Sequence, residues 1–360
     1  MKNLQTKCTN EITAVDLFCG AGGLTKGLED TGIKVNLGVD IDPACEYPYS
    51  ANNSGSFLKK SVNNLSSSDI QNFFNKGSVK LLAGCAPCQT FSRHNKKKSN
   101  GLDSRWWLLL EFKRLIQEIQ PELVTMENVP GLLNTDVFQT FKNTLIELGY
   151  AVNYQVVNCS KYGLPQNRKR LVLLASKIGD IRLLTPREFT AKTTKTVRDV
   201  LSNLEPISAG SIDSSDSLHK SARLTKLNLR RMRASKPGGN WKDWSKSLIL
   251  DCHKKESGSG FLSVYSRMEW NKPSPTITTQ FLGFSRGRFG HPEQDRALSL
   301  REGAILQGFP KDYKFTPENE EPKTTIVSKL IGNAVPVTLG QLIGKSIIAH
   351  VNDIKQSSNE

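Results

Sequence analysis

The sequence of 360 residues predicts an α/β protein, with a mostly parallel β-sheet covered by helices on both faces and a smaller, loop-rich second domain. Short apolar runs alternate with segments of helical periodicity along the first half of the chain, which is typical of βαβ units. From about residue 182 this periodicity fades, while Ser and Lys become frequent. The hydrophobic fraction of 37% is enough for packed cores in a chain of this length.

The predicted elements follow one another in a regular order. Apolar runs predict strands at 12–18, 35–39, 79–83, 123–126, 150–157 and 171–175. Amphipathic periodicity predicts helices at 24–30, 106–119, 137–148 and 336–350, and order returns near 297–306. Gly32 and Pro121 are placed to end the first two of these helices. The change of character near residue 182 therefore marks the start of a second, smaller unit.

The composition favours a polyanionic partner. The chain carries 49 Lys and Arg against 34 Asp and Glu, a net charge of +15. Nucleic acid is the partner that such an excess favours, and a merely soluble basic surface is the alternative.

Seven cysteines without framework spacing favour a reducing cytoplasm. Five scattered histidines lack paired ligand spacing, so we predict no metal. No stretch approaches the length of a membrane span, so we expect no membrane partner.

Three glycines, Gly20, Gly22 and Gly23, follow the first predicted strand. Without side chains they let a ligand approach the backbone where the strand turns into a helix. The third glycine of the dinucleotide fingerprint is missing, which weakens the case for a pyrophosphate cofactor. Asp40, about twenty residues further on, ends the second strand and is placed to accept hydrogen bonds from a ribose. The pattern predicts a cofactor that contains a nucleoside.

Cys88 lies just past the strand at 79–83, where open α/β sheets bind their ligands. Pro87 stiffens the backbone before it, and the basic segment that begins at Arg93 favours the reactive thiolate. A buried structural cysteine is the alternative. Glu127 follows the next strand at the same sheet edge, where it suits proton donation. A structural, N-cap-like glutamate is the alternative there.

Gln166, Arg168 and Arg170 alternate directly before the strand at 171–175. In extended chain these side chains would point to one face and form a row of hydrogen-bond donors. An ordinary solvated charge run is the alternative interpretation.

Six segments, in this order, resemble the C5-cytosine DNA methyltransferases over nearly the whole chain. They are Asp16-Leu17-Phe18-x-Gly20-x-Gly22-Gly23, Gly84-x-x-Pro87-Cys88-Gln89-x-Phe91-Ser92, Glu127-Asn128-Val129, Pro165-Gln166-Asn167-Arg168-Lys169-Arg170, Arg301-Glu302 with Leu306-Gln307-Gly308-Phe309-Pro310, and Ile331-Gly332-Asn333-Ala334-Val335-Pro336. The resemblance implies the Rossmann-like fold of S-adenosylmethionine-dependent methyltransferases. It also implies that 1–181 and 325–360 form a cofactor-binding and catalytic domain and that 182–324 is a target-recognition domain.

The resemblance further implies a covalent mechanism. Cys88 would add to C6 of cytosine, which makes C5 nucleophilic towards the methyl group of S-adenosyl-L-methionine. Glu127 would give a proton or a hydrogen bond to N3 of the base. Arg170 would contact O2 of the base, and Arg168 would support the site. The target cytosine would be flipped out of double-stranded DNA to reach these groups.

The same resemblance implies the cofactor contacts. Phe18 and Ile41 would lie against the adenine, and Asp40 would hold the ribose. The other predicted contacts are Gly20, Ala21, Gly22, Gly23, Leu24, Ser61, Pro87, Leu108, Asn333 and Val335. The family acid that meets the adenine amino group is missing near residue 61. Ser61, the backbone or Asp69 would replace it.

DNA contacts are expected in two regions. The basic segment after Cys88 would close over the flipped base, and the recognition part would contact phosphates and read base edges. The predicted residues are Gln89, Ser92, Arg93, Arg105, Arg267, Gln280, Arg286 and Arg288. The stretch 274–279, which leads out of the recognition part, is scaffold in an alternative interpretation.

The predicted function is that of a DNA cytosine-C5 methyltransferase of a bacterial restriction–modification system. We expect a monomer, cytoplasmic and associated with the nucleoid, that protects DNA from a cognate endonuclease encoded nearby. A tRNA cytosine-C5 methyltransferase of the same fold is one alternative, although its typical Cys-Phe-Thr signature is absent. A catalytically inactive nucleic-acid-binding regulator is another, and the presence of Cys88, Glu127 and Arg170 argues against it.

Overall fold

The computed structural model describes residues 11–87, 107–190 and 194–359, which form two compact units. The first unit takes its described residues from Met1–Asn158, Lys169–Ala191 and Val335–Glu360, and the second from Cys159–Arg168 and Lys192–Ala334. The segment 159–168 thus belongs to the second unit, which ends at Ala334 rather than at 324. The assignment of catalysis to one domain and of target recognition to the other stays a prediction.

A seven-stranded sheet forms the centre of the first unit. Its strands are β1 (Ile12–Leu17), β2 (Lys34–Asp40), β3 (Ser56–Lys59), β4 (Val79–Gly84), β5 (Leu123–Asn128), β6 (Ala151–Asn158) and β7 (Lys169–Ser176). They lie in the order β3-β2-β1-β4-β5-β7-β6. The pairs from β3 to β5 are parallel, whereas β7 pairs antiparallel with β5 and β6. The prediction of a mostly parallel sheet is confirmed.

Helices connect and flank these strands. They are α1 (Gly23–Glu29), α2 (Glu46–Asn52), α3 (Ser67–Gln71), α4 (Trp107–Ile119), α5 (Asp136–Glu147), α6 (Pro186–Phe189), α7 (Val197–Leu201), α8 (Lys226–Ala234), α9 (Asp251–Lys254), α10 (Glu256–Ser259), α11 (Leu300–Leu306), α12 (Thr324–Asn333) and α13 (Val337–Asn359). The four helices predicted from periodicity correspond to α1, α4, α5 and α13. The described part of the second unit contains helices and isolated β-bridges, and it has no strand of several residues.

The strand β3 and the helices α2 and α3 were not predicted from the sequence; β3 lies within the polar stretch at 51–68, whereas α2 and α3 lie at its two ends. The four residues of β3 lie at the sheet edge, and none of them is fully buried. Such a strand needs neither an apolar run nor an alternating pattern, so periodicity cannot identify it.

The C-terminal helix packs directly on the helix that follows the glycine turn. A Cβ atom added at Gly27 in α1 would lie 2.4 Å from the carbonyl oxygen of Val337 and 2.6 Å from Cα of Gly340 in α13. Two helix backbones can approach this closely only where side chains are missing. The end of the chain therefore supports α1, and with it the position of the turn.

One stretch of the described chain, Thr324–Ser357, is long enough to cross a membrane and contains an 18-residue window that is apolar enough, with a mean hydropathy of 1.4. The expectation that no stretch approaches that length was therefore wrong. In the structure 67% of its apolar window is buried. Burial of that extent is typical of helices that pack into a protein core.

Candidate active site

The loop between β1 and α1 coils tightly. The φ angles of Phe18, Gly20 and Gly22 are 59°, 55° and 85°. Gly22 is the N-cap of α1, and its N–H donates to the carbonyl oxygen of Cys19 at 2.9 Å. Side chains disfavour this left-handed region, which explains the glycines at two of the three positions. The result is an open stretch of backbone at the start of a helix.

Asp40 ends β2 and closes this loop from the neighbouring strand. Its Oδ2 accepts from the N–H of Gly20 at 3.0 Å, and its Oδ1 accepts from the N–H of Asp42 at 2.9 Å. Burial raises the pKa of Asp40, although both backbone hydrogen bonds oppose the shift. Each carboxylate oxygen can still accept a second hydrogen bond. Ile41, the next residue, is 67% exposed. An exposed apolar side chain beside such a carboxylate fits an adenosine group.

Asp16 lies beneath the same loop and is only 1% exposed. Its Oδ2 accepts a hydrogen bond from Oγ1 of Thr25 in α1 at 2.7 Å. Burial raises the pKa of Asp16 to about 7, and the charge of Asp40 acts in the same direction, while the Thr25 hydrogen bond opposes both. This buried contact connects β1 to α1 under the loop. Asp16 was not among the site residues predicted from the sequence.

Glu127 lies near the end of β5 and is only 3% exposed. Its Oε2 accepts a hydrogen bond from Sγ of Cys85, at 2.8 Å, and its Oε1 lies 2.8 Å from Nε of Arg170 as an ion pair. Cys85 follows β4 on one side of β5, and Arg170 lies in β7 on the other. Despite the ion pair, Oε1 accepts no hydrogen bond from a described residue. That oxygen is therefore a buried acceptor with capacity for a ligand.

The chain after β4 is held beside Glu127 as far as Pro87, the last described residue before the gap. Nδ2 of Asn128 donates to the carbonyl oxygen of Ala86 at 3.0 Å, and Oδ1 of Asn128 accepts from the N–H of Val129 at 2.8 Å. The segment that leads into Cys88 is thus tied to the end of β5. Cys88 itself lies outside the described residues.

A family model, described as C-5 cytosine-specific DNA methylase, matches residues 12–349. The chain belongs to this family. It is a DNA cytosine-5 methyltransferase, as predicted, and the match favours this interpretation over the tRNA alternative. All six segments on which the resemblance rested lie within the matched range.

The methylase is similar to curated relatives along most of its length. It is 50% identical over 336 residues to the type II methylase M.HgiDII of Herpetosiphon aurantiacus, covering 92% of this chain and 94% of the relative. It is 32% identical over 362 residues to the type II methyltransferase M.Eco47II of Escherichia coli, covering 98% of this chain and 82% of that relative.

Solved structures share the fold of the methylase at low sequence identity. A prophage-encoded E. coli protein, described as a DNA modification methyltransferase, matches with a TM-score of 0.70 and 21% identity, over 95% of this chain and 100% of that chain. The S. pombe Dnmt2 methyltransferase matches with a TM-score of 0.64 and 18% identity, over 94% of this chain and 99% of that chain. These likenesses confirm the Rossmann-like methyltransferase fold.

Among the predicted cofactor residues of the first unit, those from Phe18 to Leu24 form the loop and the start of α1, beside Asp40 and Ile41. Leu108 is half-buried in α4 and packs against the hydrophobic core. Ser61 is half-buried and precedes a short 3-10 helix, Val62–Asn64. These placements leave the predicted contacts as predictions.

Asp69, one of the three replacements considered for the missing acid, is engaged elsewhere. Its Oδ2 accepts from Nζ of Lys60 at 2.7 Å and from the N–H and hydroxyl of Ser66, both at 2.8 Å. The hydrogen bond from Lys60, followed by those from Ser66, holds the pKa of Asp69 well below its ordinary value. Asp69 therefore caps α3, and Ser61 or the backbone is the better candidate.

Arg168 lies in the second unit and is 2% exposed. Its Nη1 donates to the carbonyl oxygen of Ile277 at 2.9 Å, and its Nη2 donates to the carbonyl oxygens of Gly332 and Ala334 at 3.3 and 3.5 Å. It thus holds together distant backbone segments of that unit. This agrees with a supporting role rather than contact with the base. Asn333, exposed at the end of α12, lies between two of these carbonyl groups.

Arg267 does not fit its predicted role in reading DNA. It is 5% exposed, and its Nε, Nη1 and Nη2 all donate within the second unit. The acceptors are the carbonyl oxygens of Met232, Ser235, His291 and Gln294 and the carboxylate of Asp295. A guanidinium used in this way has no donor left for a base. Arg267 is therefore a structural residue.

The remaining predicted DNA residues differ in position. Gln280 and Arg286 are exposed, and Arg288 is half-buried with an Nε that has no hydrogen-bond partner among the described residues. In the stretch 274–279, the N–H of Ser274 donates to the carbonyl oxygen of Pro165 at 2.9 Å. This backbone contact agrees with the interpretation of the stretch as scaffold. The other predicted residues, Gln89, Ser92, Arg93 and Arg105, lie outside the described residues.

No three His, Cys, Asp or Glu side chains in the described ranges lie together as metal ligands would. The expectation that the methylase has no metal site stays a prediction.

Proposed function

We propose that this methylase transfers the methyl group of S-adenosyl-L-methionine to C5 of a flipped-out cytosine in a specific duplex DNA sequence, through a covalent bond between Cys88 and C6. The observation that carries this proposal is the buried Glu127 carboxylate. It lies beside the strand end that leads into Cys88, and its Oε1 is an acceptor without a hydrogen bond.

The mechanism follows from the groups around Glu127. The Cys88 thiolate forms an S–C6 bond, and the electron pair of the C5–C6 double bond makes C5 nucleophilic. Glu127 gives a proton or a hydrogen bond to N3 of the base, which neutralises the charge that develops on the ring. Nη2 of Arg170 donates to none of the described residues and is available to O2 of the base. After C5 has taken the methyl group, solvent water accepts the C5 proton, the electron pair of that C–H bond re-forms the C5–C6 double bond, and the Cys88 thiolate leaves C6.

The loop after β1 and the end of β2 suit the cofactor. Asp40 would accept from the ribose hydroxyls, and Ile41 and Phe18 would pack on the adenine. The backbone from Gly20 to Leu24 would surround the methionine portion. Further contacts would come from Ser61, Pro87, Leu108, Asn333 and Val335. When bound, the cofactor supplies the methyl group.

The names of its relatives, which are called type II enzymes, support a restriction–modification context for the methylase. The methylase would protect the DNA of a bacterial host from a cognate endonuclease encoded nearby. It would act as a monomer in the cytoplasm, on the DNA of the nucleoid.

Labelled methyl transfer from S-adenosyl-L-methionine tests the proposal directly. We expect incorporation into duplex DNA and none into tRNA. Bisulfite sequencing of a methylated plasmid would then identify the modified cytosine and its sequence context. Transfer to tRNA alone would favour a tRNA cytosine-C5 methyltransferase, and binding of DNA without any transfer would favour an inactive regulator.

The second unit offers an exposed basic stripe for DNA phosphates on α8. Lys226, Arg230 and Arg233 are exposed and lie on one face of this helix. Lys226 and Arg230 have no ion-pair partner among the described residues, whereas Arg233 pairs with Asp295 at 3.0 Å. Arg231 instead lies over the ring of Trp244 within the unit. Two unpaired cations on a single helical face favour a polyanionic partner.

We therefore expect the double variant Lys226→Ala/Arg230→Ala to weaken DNA binding about equally for all sequences. The slope of log K against log salt should fall in magnitude by about 1 for each phosphate that the variant no longer neutralises. Fluorescence anisotropy with a labelled duplex at several salt concentrations measures this slope. Lys314→Ala is a matched control, because this exposed lysine of the same unit pairs with Glu318 at 2.9 Å. An unchanged slope in the double variant would exclude the stripe from the DNA interface.

A further inference from the structure

The thiol of Cys85 makes a contact that the mechanism above does not use. Cys85 is half-buried just after β4, and its N–H donates to the carbonyl oxygen of Leu17 in β1 at 3.3 Å. Its side chain extends the other way, where Sγ donates to Oε2 of Glu127 at 2.8 Å. The backbone of this cysteine is thus fixed to one neighbouring strand while its thiol contacts a carboxylate on the other.

A thiol is ordinarily a weak donor, but donation to a carboxylate is charge-assisted and stronger. The carboxylate of Glu127 is only 3% exposed, so water cannot easily replace this donor. A thiolate at this distance would repel the carboxylate, so the contact requires the S–H proton. The feature that matters is therefore a donor at residue 85, and not the sulfur itself.

The two contacts of Glu127 are not equivalent. The ion pair with Arg170 locates Oε1, yet a single partner leaves the carboxylate free to rotate about its last side-chain bond. The thiol at Oε2 removes that freedom. It also occupies Oε2 and leaves Oε1 as the oxygen with hydrogen-bonding capacity. Catalytic groups that are fixed in this way need no reorganisation when the substrate arrives.

We propose that Cys85 is a positioning residue for methyl transfer, whose thiol orients the Glu127 carboxylate for the target base. This inference rests on the proposed role of Glu127. Cys85 acts only through that carboxylate and has no part in the S–C6 bond.

The test compares single-turnover methyl transfer and steady-state kinetics of the full-length enzyme. Cys85→Ala and the nearly isosteric Cys85→Val lack the donor and should transfer about 10- to 100-fold more slowly, with little change in KM for DNA or cofactor. Cys85→Ser keeps a donor and should restore most of the rate. Cys252→Ala, at an exposed cysteine of the second unit, is the matched control and should behave as wild type.

A double-mutant cycle separates the role of Cys85 from the proposed role of Glu127. In a Glu127→Gln background, Cys85→Ala should cause no further loss, because the group that it orients has been changed. A full additional loss there, or wild-type rates in Cys85→Ala and Cys85→Val, would overturn the role of Cys85 alone. If Glu127→Gln itself transfers at the wild-type rate, the proposed role of Glu127 fails, and the inference fails with it.

Discussion

Cys88→Ala is expected to reduce methyl transfer by at least about 10³-fold while binding of duplex DNA and cofactor persists. C5 of cytosine is a poor nucleophile, and only the thiolate addition at C6 makes it reactive. Alanine keeps the backbone but provides no nucleophile. Transfer of labelled methyl groups measures the loss, and fluorescence anisotropy with a labelled duplex measures binding.

The surroundings explain why binding should survive this substitution. The chain before Cys88 is held by the Asn128 side chain at Ala86, a contact that does not involve residue 88. The loop of the predicted cofactor contacts follows a different strand, β1. Cys252→Ala serves as the control for loss of a thiol. Methyl incorporation near the wild-type rate in Cys88→Ala would refute the assigned nucleophile.

The sequence predicts the sheet well where its strands are buried. All six residues of β1, and likewise of β5, are buried, and three of the first four residues in each strand are apolar, so the strands are easily recognised. The approach of Asp40 to Gly20 could also be foreseen, because the carboxyl ends of parallel neighbouring strands meet at one edge. The edge strand β3 carries no such signal.

Other contacts depend on tertiary structure alone. The partners of Arg267 come from two distant segments of the chain, 232–235 and 291–295, and a local pattern of charge cannot distinguish such an arginine from one that contacts DNA. The thiol of Cys85 is similar, because its contact with Glu127 follows from the neighbouring positions of β4 and β5. In the sequence, the only sign of this contact is a second cysteine near Cys88.

The second unit contains a fully buried ion pair that sequence reasoning also missed. Arg296 is 0% exposed and Glu302 is 1% exposed, and Nη1 and Nη2 of Arg296 each donate to one carboxylate oxygen at 2.7 Å. Nε of Arg296 also donates to the carbonyl oxygen of Ile207 at 3.1 Å. Glu302 accepts the N–H of Ser299 at 2.7 Å and so completes the capping box of α11. Every charged group of the pair is satisfied within the unit.

We expect Arg296→Met to destabilise the protein by about 3–5 kcal/mol, because it leaves the Glu302 carboxylate buried without its partner. Adding Glu302→Gln should recover much of this loss, since glutamine is neutral and can still cap α11. Lys314→Met removes one member of an exposed pair and should cost less than about 1 kcal/mol. Urea unfolding followed by circular dichroism measures all three free energies.

The pH dependence of this loss gives an independent check. Burial alone would raise the pKa of Glu302, but the hydrogen bonds and charge of Arg296 outweigh it and lower that pKa from its ordinary value of 4.5. Stability from a lowered carboxyl pKa is present above the unfolded-state value and is lost as the pH falls through the folded-state value. In Arg296→Met only the charge of His291 and the N–H of Ser299 still oppose the effect of burial, so the pKa of Glu302 rises, and Glu302 takes up a proton at higher pH than in the wild type. The difference between wild type and variant should therefore narrow as the pH falls from 7 towards 4. A difference that stays constant over this range would mean that the loss comes from packing rather than from the unpaired carboxylate.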